Sequence, residues 1–120
     1  MRFLLVGQDG LLKEVAISEV LLITLTTSGP LFHTASGVYR YARTMSQLLP
    51  SLQEHGFETL DRGNIVNLDR VGHYDPVSRV VYFEETDESD IRASVSAAGV
   101  RKLPDRLLES TALYMTVAAS

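Results

Sequence analysis

Apolar residues occur mostly in short runs that are rich in β-branched and aromatic side chains and bounded by turn-forming residues, a pattern typical of β-strands. The runs "RFLLV" and "LLKEVAI" flank "GQDG", which predicts a β-hairpin with a glycine available for a positive φ. The run "EVLLITLT" is almost continuously apolar, so it predicts a strand that is buried on both faces. The alternating run "VYRYA" predicts a half-buried strand.

Two segments in the first half depart from this strand pattern. The segment "TSGPLFHTASG" is punctuated by Gly, Pro and Ser, and it predicts a loop with at most one short strand. In "RTMSQLLPSLQEH" the apolar residues recur at intervals of three and four, which predicts a helix with one apolar face. Thr44 is expected to cap its start and Gly56 to follow its end, while Pro50 should kink or split it.

The second half of the chain returns to strands. The runs "FETL", "IVNL", "RVGHYD", "RVVYFEE" and "DIRASVS" each predict a strand. The pattern predicts eight to ten short strands with one or two short helices. Short connections favour antiparallel pairing in such a fold.

The C-terminal part is less regular. From Val100 onward the pattern predicts a short helix broken at Pro104. We therefore predict one domain over residues 1–108. The apolar tail 109–120 is predicted as a helix or an added strand, with oligomerisation as the hypothesis for its role.

Composition excludes several kinds of site. The 120 residues fit one domain, and the absence of cysteine excludes disulfides, thiolate catalysis and cysteine-based metal sites. The three histidines are far apart in sequence, and no common catalytic or phosphate-binding motif occurs. We therefore expect no enzyme activity, cofactor, metal or small-molecule substrate. No run is long enough for a signal peptide or a membrane span, so a cytoplasmic location without membrane contact is expected.

The net charge of −4 argues against nucleic acid as a partner, because DNA-binding domains usually carry a basic surface. However, the segment "EETDESD" alone holds five of the 15 acidic residues. The rest of the chain carries 10 acidic residues against 11 basic ones. An acidic hairpin tip directed away from a partner would leave the other surfaces free to bind an anion, although the segment could also be a simple solvated turn. The net charge therefore does not decide the question.

The run "FETLDRGNIVNLDRV" resembles the signature of the LytTR DNA-binding domain family. That signature has an aromatic residue, a strand, a polar four-residue loop, and then two aliphatic residues followed by Asn-Leu and a further aliphatic residue. Upstream, "ISEVLLITL" and the amphipathic helix agree with the family order. Downstream, "RVVYFEE" and "IRASVSAAGVRKL" are similar to its last hairpin, Ser-containing loop and basic pair. The resemblance covers the chain from about Phe3 to Leu108.

The resemblance implies a mostly β fold of about ten short antiparallel strands in several small sheets, with one or two short helices. It also implies a bacterial transcription regulator that reads double-stranded DNA with three loops rather than with a helix. Members usually follow a receiver domain. Because nothing precedes the domain here, a stand-alone version is expected.

The family pattern also assigns candidate DNA contacts in the second loop, Asp61–Asn64. Arg62 matches the family, and its planar fork suits a phosphate or a guanine. Asn64 could bind a phosphate or an adenine edge, or it could serve as a turn former. Asp61 departs from the usual His and would repel phosphate unless it pairs with Arg62. Asn67, in contrast, is expected to be structural, hydrogen-bonded to neighbouring backbone inside a buried strand.

The first and third loops depart further from the family. In the first loop the base-reading residue is Thr27, Ser28 or His33. In the third loop, Ala97 and Ala98 stand where arginine is common. There Ser96 could still donate to a phosphate, and a basic pair matches the family: Arg101 and Lys102.

Two functions remain open on these residues. The first is a DNA-binding transcription regulator, with a homodimer on repeated half-sites as a further hypothesis, because one small domain contacts few base pairs. The alternative is a protein-interaction module of the same fold that has weakened or lost DNA binding and acts on another regulator.

Overall fold

A computed structural model describes residues 1–41, 48–84 and 91–108. Within them the chain forms ten strands, one α-helix longer than one turn and three 3₁₀ turns. The helix, α1, is Leu49–Glu54, and residues 105–108 are also helical. The 3₁₀ turns are Ile17–Glu19, Leu68–Arg70 and Gly99–Lys102. The strands are Arg2–Val6 (β1), Leu12–Ala16 (β2), Val20–Thr26 (β3), Gly29–Thr34 (β4), Gly37–Arg40 (β5), Phe57–Glu58 (β6), Asn64–Asn67 (β7), Val71–Asp75 (β8), Val80–Phe83 (β9) and Arg92–Ser94 (β10).

The strands form two antiparallel sheets. The larger sheet has the order β2-β1-β5-β4-β3-β7-β6, and the smaller one has the order β10-β9-β8. Each observed strand pair is antiparallel. The mostly β antiparallel fold of about ten strands is therefore confirmed, with two sheets.

Strand β3 lies between two hydrophobic clusters, as its apolar run predicts. Val20 and Ile23 belong to a cluster with Phe3, Phe32 and other residues of the larger sheet. Leu21 and Leu22 belong to the cluster shared with the smaller sheet. A register shift between β3 and β4 in this region accompanies the change of face. Burial on both faces is confined to the first four residues, so the C-terminal end of β3 reaches the surface.

The helix begins later than its sequence pattern predicts. It starts at Leu49 with Pro50 in its first turn, where a missing N–H group costs no hydrogen bond. Pro50 therefore causes no kink within Leu49–Glu54, and the predicted split depends on residues 42–47, which are not described. Gly56 follows the end of the helix with a φ of +85° as predicted. Thr44, the predicted cap, lies outside the described residues.

The predicted loop after β3 is mostly strand. Gly29–Thr34 forms the six-residue strand β4, which pairs with β3 and β5. Thr26 pairs with Gly29, so the connection is a two-residue turn of Thr27 and Ser28. All six β4 residues pair with β3, and residues 31–34 also pair with β5. This pairing outweighs the turn-forming tendency of Gly29 and Pro30.

Two predictions fall on residues that the structure does not describe. They are the acidic hairpin tip, of which residues 85–90 are not described, and the oligomerising tail 109–120. In the part of the chain that is described, no helix is long and apolar enough to cross a membrane.

Candidate nucleic-acid interface

Three connections lie together at one end of the sheets. Loop 1 is the turn of residues 27–28 between β3 and β4, loop 2 is residues 59–63 between β6 and β7, and loop 3 is residues 95–98 after β10. The Leu25 N–H donates to the carbonyl of Gly63 (2.8 Å), which ties the end of β3, just before loop 1, to loop 2. The Ser96 N–H donates to the carbonyl of Leu60 (2.9 Å), which ties loop 2 to loop 3. We call this region the loop end.

Asn64 fixes the shape of loop 2 from inside. Its Oδ1 accepts hydrogen bonds from the N–H groups of Leu60 (3.2 Å) and Asp61 (2.9 Å). Its Nδ2 donates to the carbonyl of Ser94 in β10 (2.8 Å). The residue is only 6% exposed. Asn64 therefore joins loop 2 to the smaller sheet, and its amide faces the domain interior.

Loop 2 closes through Gly63. Its φ of +84° lies in the left-handed region that favours glycine. A Cβ atom there would meet only the Leu25 carbonyl oxygen, at 3.8 Å, so there is room for a side chain. Glycine is therefore favoured at this position by the backbone conformation and not by steric crowding.

The Asp61 carboxylate is held by two hydrogen bonds. Its Oδ2 accepts from the Ser94 hydroxyl (2.7 Å) and its Oδ1 from the Arg62 N–H (2.8 Å). The Ser94 hydroxyl, and then the Arg62 N–H, lower the pKa of Asp61 below its usual value, so it is ionised at neutral pH. Asp61 and Arg62 do not form an ion pair.

The Arg62 side chain is exposed, and its guanidinium forms no hydrogen bond or ion pair with the described residues. Arg62 therefore presents its charge to solvent at the loop end.

Loop 3 is packed against loop 2 through Ser96 and Gly99. The Ser96 hydroxyl donates to the Leu60 carbonyl (3.0 Å) and accepts from the Gly99 N–H (3.0 Å). A Cβ atom at Gly99 would lie 2.0 Å from the Leu60 carbonyl oxygen. The single hydroxyl proton of Ser96 is thus used within the domain.

The basic pair of the third turn is exposed at the same end. Lys102 Nζ donates to the Thr59 carbonyl (2.9 Å), which places its ammonium group beside loop 2. Arg101 is its neighbour, and its side chain has no hydrogen bond or ion pair with the described residues. The structure therefore brings Lys102 beside the loop that contains Arg62, although the two are far apart in sequence, with Arg101 next to Lys102 in the turn.

The first-loop candidates are separated by the structure. Thr27 and Ser28 are exposed at the tip of the turn, which Thr26 holds by accepting from the Ser28 N–H (3.2 Å) and donating to the Gly29 carbonyl (2.7 Å). His33 instead lies within β4, half-buried, with Nε2 2.9 Å from the Thr24 hydroxyl. Only the two tip residues lie at the loop end.

The structure also adds a basic residue that sequence reasoning missed. The Arg79 carbonyl accepts from the Val95 N–H (2.8 Å), which brings the β8–β9 turn against loop 3. Asp75 forms this turn by accepting from the N–H groups of Val77 and Ser78. The side chain of Arg79 is exposed. Its sequence position gave no signal, because only the pairing of β9 with β10 places it there.

Asn67, at the other end of β7, has the structural role that the sequence predicts. Its Nδ2 donates to the carbonyl of Val20 (2.8 Å), and the residue is 3% exposed. Asn64 and Asn67 are therefore the first and last residues of β7. Both side chains hold the fold together, but only Asn64 is hydrogen-bonded to loop 2.

Burial of His33 predicts a dependence of stability on pH. Burial lowers the pKa of His33 below its usual value, so the folded state favours the neutral ring. The neutral ring therefore contributes to the free energy of unfolding at pH values above the pKa of the unfolded state, about 6.5. This contribution to stability is lost as the pH falls through the lower pKa of the folded state. We expect the free energy of unfolding in urea to fall less between pH 7.5 and pH 5 in His33→Gln than in the wild type. Equal losses in the two proteins would contradict this assignment.

Comparison with known proteins agrees with this architecture. The family model of the LytTr DNA-binding domain matches residues 11–107. The solved structure of a LytTr DNA-binding domain from Bacillus cereus is similar, with a TM-score of 0.66 and 17% sequence identity. The match covers 83% of this chain and 90% of that one. No curated protein matches the chain significantly.

Proposed function

Because the chain belongs to the LytTR DNA-binding domain family, we propose that it is a bacterial transcription regulator that binds double-stranded DNA through its loop end. One observation carries the proposal. Loops 2 and 3, from the two sheets, are joined by hydrogen bonds to each other, and loop 2 is bonded to the end of β3 beside loop 1, at an end where basic side chains are exposed to solvent. The family is one of DNA-binding domains rather than enzymes, and DNA in the bacterial cytoplasm would be the partner.

Phosphate contacts would supply most of the affinity. Arg62, Arg79, Arg101 and Lys102 are exposed at the loop end and can neutralise phosphates, which releases counterions and makes binding salt-dependent. In this proposal, the local concentration of positive charge would allow a chain of net charge −4 to bind DNA.

Base recognition would come from fewer groups. The exposed guanidinium of Arg62 can donate two hydrogen bonds to the O6 and N7 acceptors of guanine. The hydroxyls of Thr27 and Ser28 at the tip of loop 1 can donate to or accept from base edges. Asn64 and Ser96 would act indirectly in this proposal, because their polar groups already hold loops 2 and 3 at a fixed spacing.

Substitution of Arg62 tests this proposal. We expect Arg62→Ala to weaken binding to a promoter-sized duplex roughly tenfold and to reduce the salt slope by about one, because one charged contact is lost. Fluorescence anisotropy from about 50 to about 300 mM salt measures both quantities.

The matched control is Arg2→Ala. Arg2 is exposed and carries the same charge, but it lies on β1, four strands from β7 in the sheet order, at the end where β1 pairs with Ala16. Its loss should leave affinity near the wild-type value. Absence of any detectable binding by the wild type at low salt would sink the proposed function.

One observation favours the alternative, a protein-interaction module acting on another regulator. The edge hairpin β1–β2 exposes Leu4 (61%), Leu11 (67%) and Leu12 (65%), which is unusual for a surface that contacts only water. A homodimer would use the same kind of surface. Sedimentation of the full chain over a dilution series, with and without duplex, separates a dimer on DNA from a protein contact that needs no DNA.

A further inference from the structure

We propose that Asp61 sets the sequence preference of the loop end by accepting a hydrogen bond from the exocyclic amino group of a cytosine or an adenine in the major groove. The inference rests on the proposed function, since it concerns how the same surface selects among DNA sequences.

The carboxylate of Asp61 is presented in a fixed orientation. Each of its oxygens accepts one hydrogen bond from the domain, from the Ser94 hydroxyl and from the Arg62 N–H. An ionised carboxylate offers about four acceptor positions, so about two remain available to a ligand. Because the side chain is already held, less rotamer freedom is lost when it meets a partner.

Charge decides which partner this group can accept. The hydrogen bonds from Ser94 and Arg62 keep the carboxylate ionised at neutral pH, so it is only an acceptor. A phosphate is also anionic and would be repelled, whereas base edges carry donors. In the major groove these donors are the N4 amino group of cytosine and the N6 amino group of adenine.

Together with Arg62, Asp61 gives loop 2 both a hydrogen-bond donor and an acceptor for base edges. Its guanidinium is a donor that lacks a partner among the described residues, and it adjoins Asp61 in sequence. The Arg62 guanidinium can donate to a base acceptor, and the Asp61 carboxylate can accept from a base amino group. The pair therefore complements a stretch of major groove where these two base groups lie side by side. Such a pattern differs between base pairs, whereas a row of phosphates offers only acceptors.

The conformation of loop 2 has several supports besides this carboxylate. Asn64 bonds two N–H groups of the loop, Gly63 supplies the left-handed residue, and Ser96 bonds the Leu60 carbonyl. Asp61 adds two bonds at the solvent-exposed side of the loop. Loss of the carboxylate should thus alter recognition while the loop keeps its shape.

Selection from a library of random duplexes tests the inference. The full chain, Asp61→Ala and Asp61→Asn would each be used to enrich bound DNA, followed by sequencing. The wild type should enrich cytosine or adenine at one position with roughly 5- to 150-fold discrimination. In Asp61→Ala that position should become degenerate, with the rest of the motif retained. In Asp61→Asn a cytosine preference should change to adenine, whereas an adenine preference should be kept, because the amide can accept from N6 and donate to N7 of adenine.

Asp69→Asn is the charge control. It removes the same negative charge, but Asp69 follows the opposite end of β7, in the turn Leu68–Arg70. It should select the wild-type motif. A general gain of affinity shared by the Asp61 and Asp69 variants, without any change of motif, would overturn the inference.

The remaining outcomes are also decisive. A motif that is identical in the wild type and in Asp61→Ala overturns the inference but leaves the proposed function standing. If replacement of guanine by inosine abolishes the preference, the contact lies in the minor groove, and the assignment to a major-groove amino group is wrong. Failure of the wild type to bind any duplex would instead remove the proposed function itself.

Discussion

Substitution of Gly99 by alanine should lower the free energy of unfolding by about 3 kcal/mol, because overpacking against backbone cannot be relieved by a rotamer change. The added Cβ would lie 2.0 Å from the carbonyl oxygen of Leu60 and 2.8 Å from its carbonyl carbon. Either the turn Gly99–Lys102 or loop 2 must move. The displacement would stretch both Ser96 bonds to Leu60 and change the spacing of Arg101 and Lys102 from Arg62.

Urea unfolding measures the stability change, and anisotropy with duplex at a temperature where the variant remains folded measures the effect on DNA binding. The control is Gly7→Ala, another glycine without a positive φ. Its Cβ would meet the movable carboxylate of Asp9 at 2.8 Å, with the nearest backbone atom at 3.6 Å. If Gly99→Ala is as stable as Gly7→Ala and binds DNA like the wild type, loop 3 does not depend on this close approach.

The sequence predicts the strands of this fold better than their connections. The apolar run of β3 indicates burial on both faces, since a strand between two hydrophobic clusters has no polar face. The run "IVNL" indicates a buried strand interrupted by an asparagine that must be hydrogen-bonded, and Asn67 bonds the Val20 carbonyl. Both inferences concern one strand and its immediate surroundings, which periodicity and polarity can define.

The loop end depends on pairing between distant segments, and the periodicity of a single chain does not encode that pairing. Arg79 reaches loop 3 only because β9 pairs with β10. Ser96 looked like a phosphate donor, but its proton goes to Leu60, 36 residues away in sequence. His33 follows a turn-forming stretch, yet β4 pairs on both sides and places it within the sheet. The resemblance to a family predicted three DNA-reading loops, and the tertiary contacts determine which of their polar groups lack a partner among the described residues.

The role of Asp61 also depends on a contact between distant segments that the sequence alone does not predict. From the sequence, its charge beside Arg62 is either a repulsion of phosphate or an ion pair with the arginine. The structure assigns its oxygens to Ser94 and to the Arg62 backbone instead, and leaves the guanidinium exposed. The Ser94 contact joins residues 33 positions apart in sequence, so only the three-dimensional arrangement shows that the Asp61 carboxylate does not pair with the Arg62 guanidinium.

The two buried asparagines of β7 allow a paired experiment, in which Asn64→Ala should impair both stability and DNA binding. The substitution removes the acceptor for two N–H groups of loop 2 and the donor to the Ser94 carbonyl. Each buried group left without a partner costs about 1–3 kcal/mol, so we expect a loss of about 3 kcal/mol in the free energy of unfolding. DNA binding should weaken at least tenfold at temperatures where the variant is folded, because loop 2 loses its link to the smaller sheet.

Asn67→Ala supplies the control that separates these two effects. It removes one bond, to the Val20 carbonyl, and should cost about 2 kcal/mol of stability. Asn67 lies three residues from Asn64 along β7, about 10 Å away from the loop end. The stability of Asn67→Ala should therefore fall while its affinity for duplex stays within about twofold of the wild type. If both variants lose affinity in proportion to their stability, the loss reflects general destabilisation, and the proposed role of Asn64 in positioning these loops for DNA is wrong.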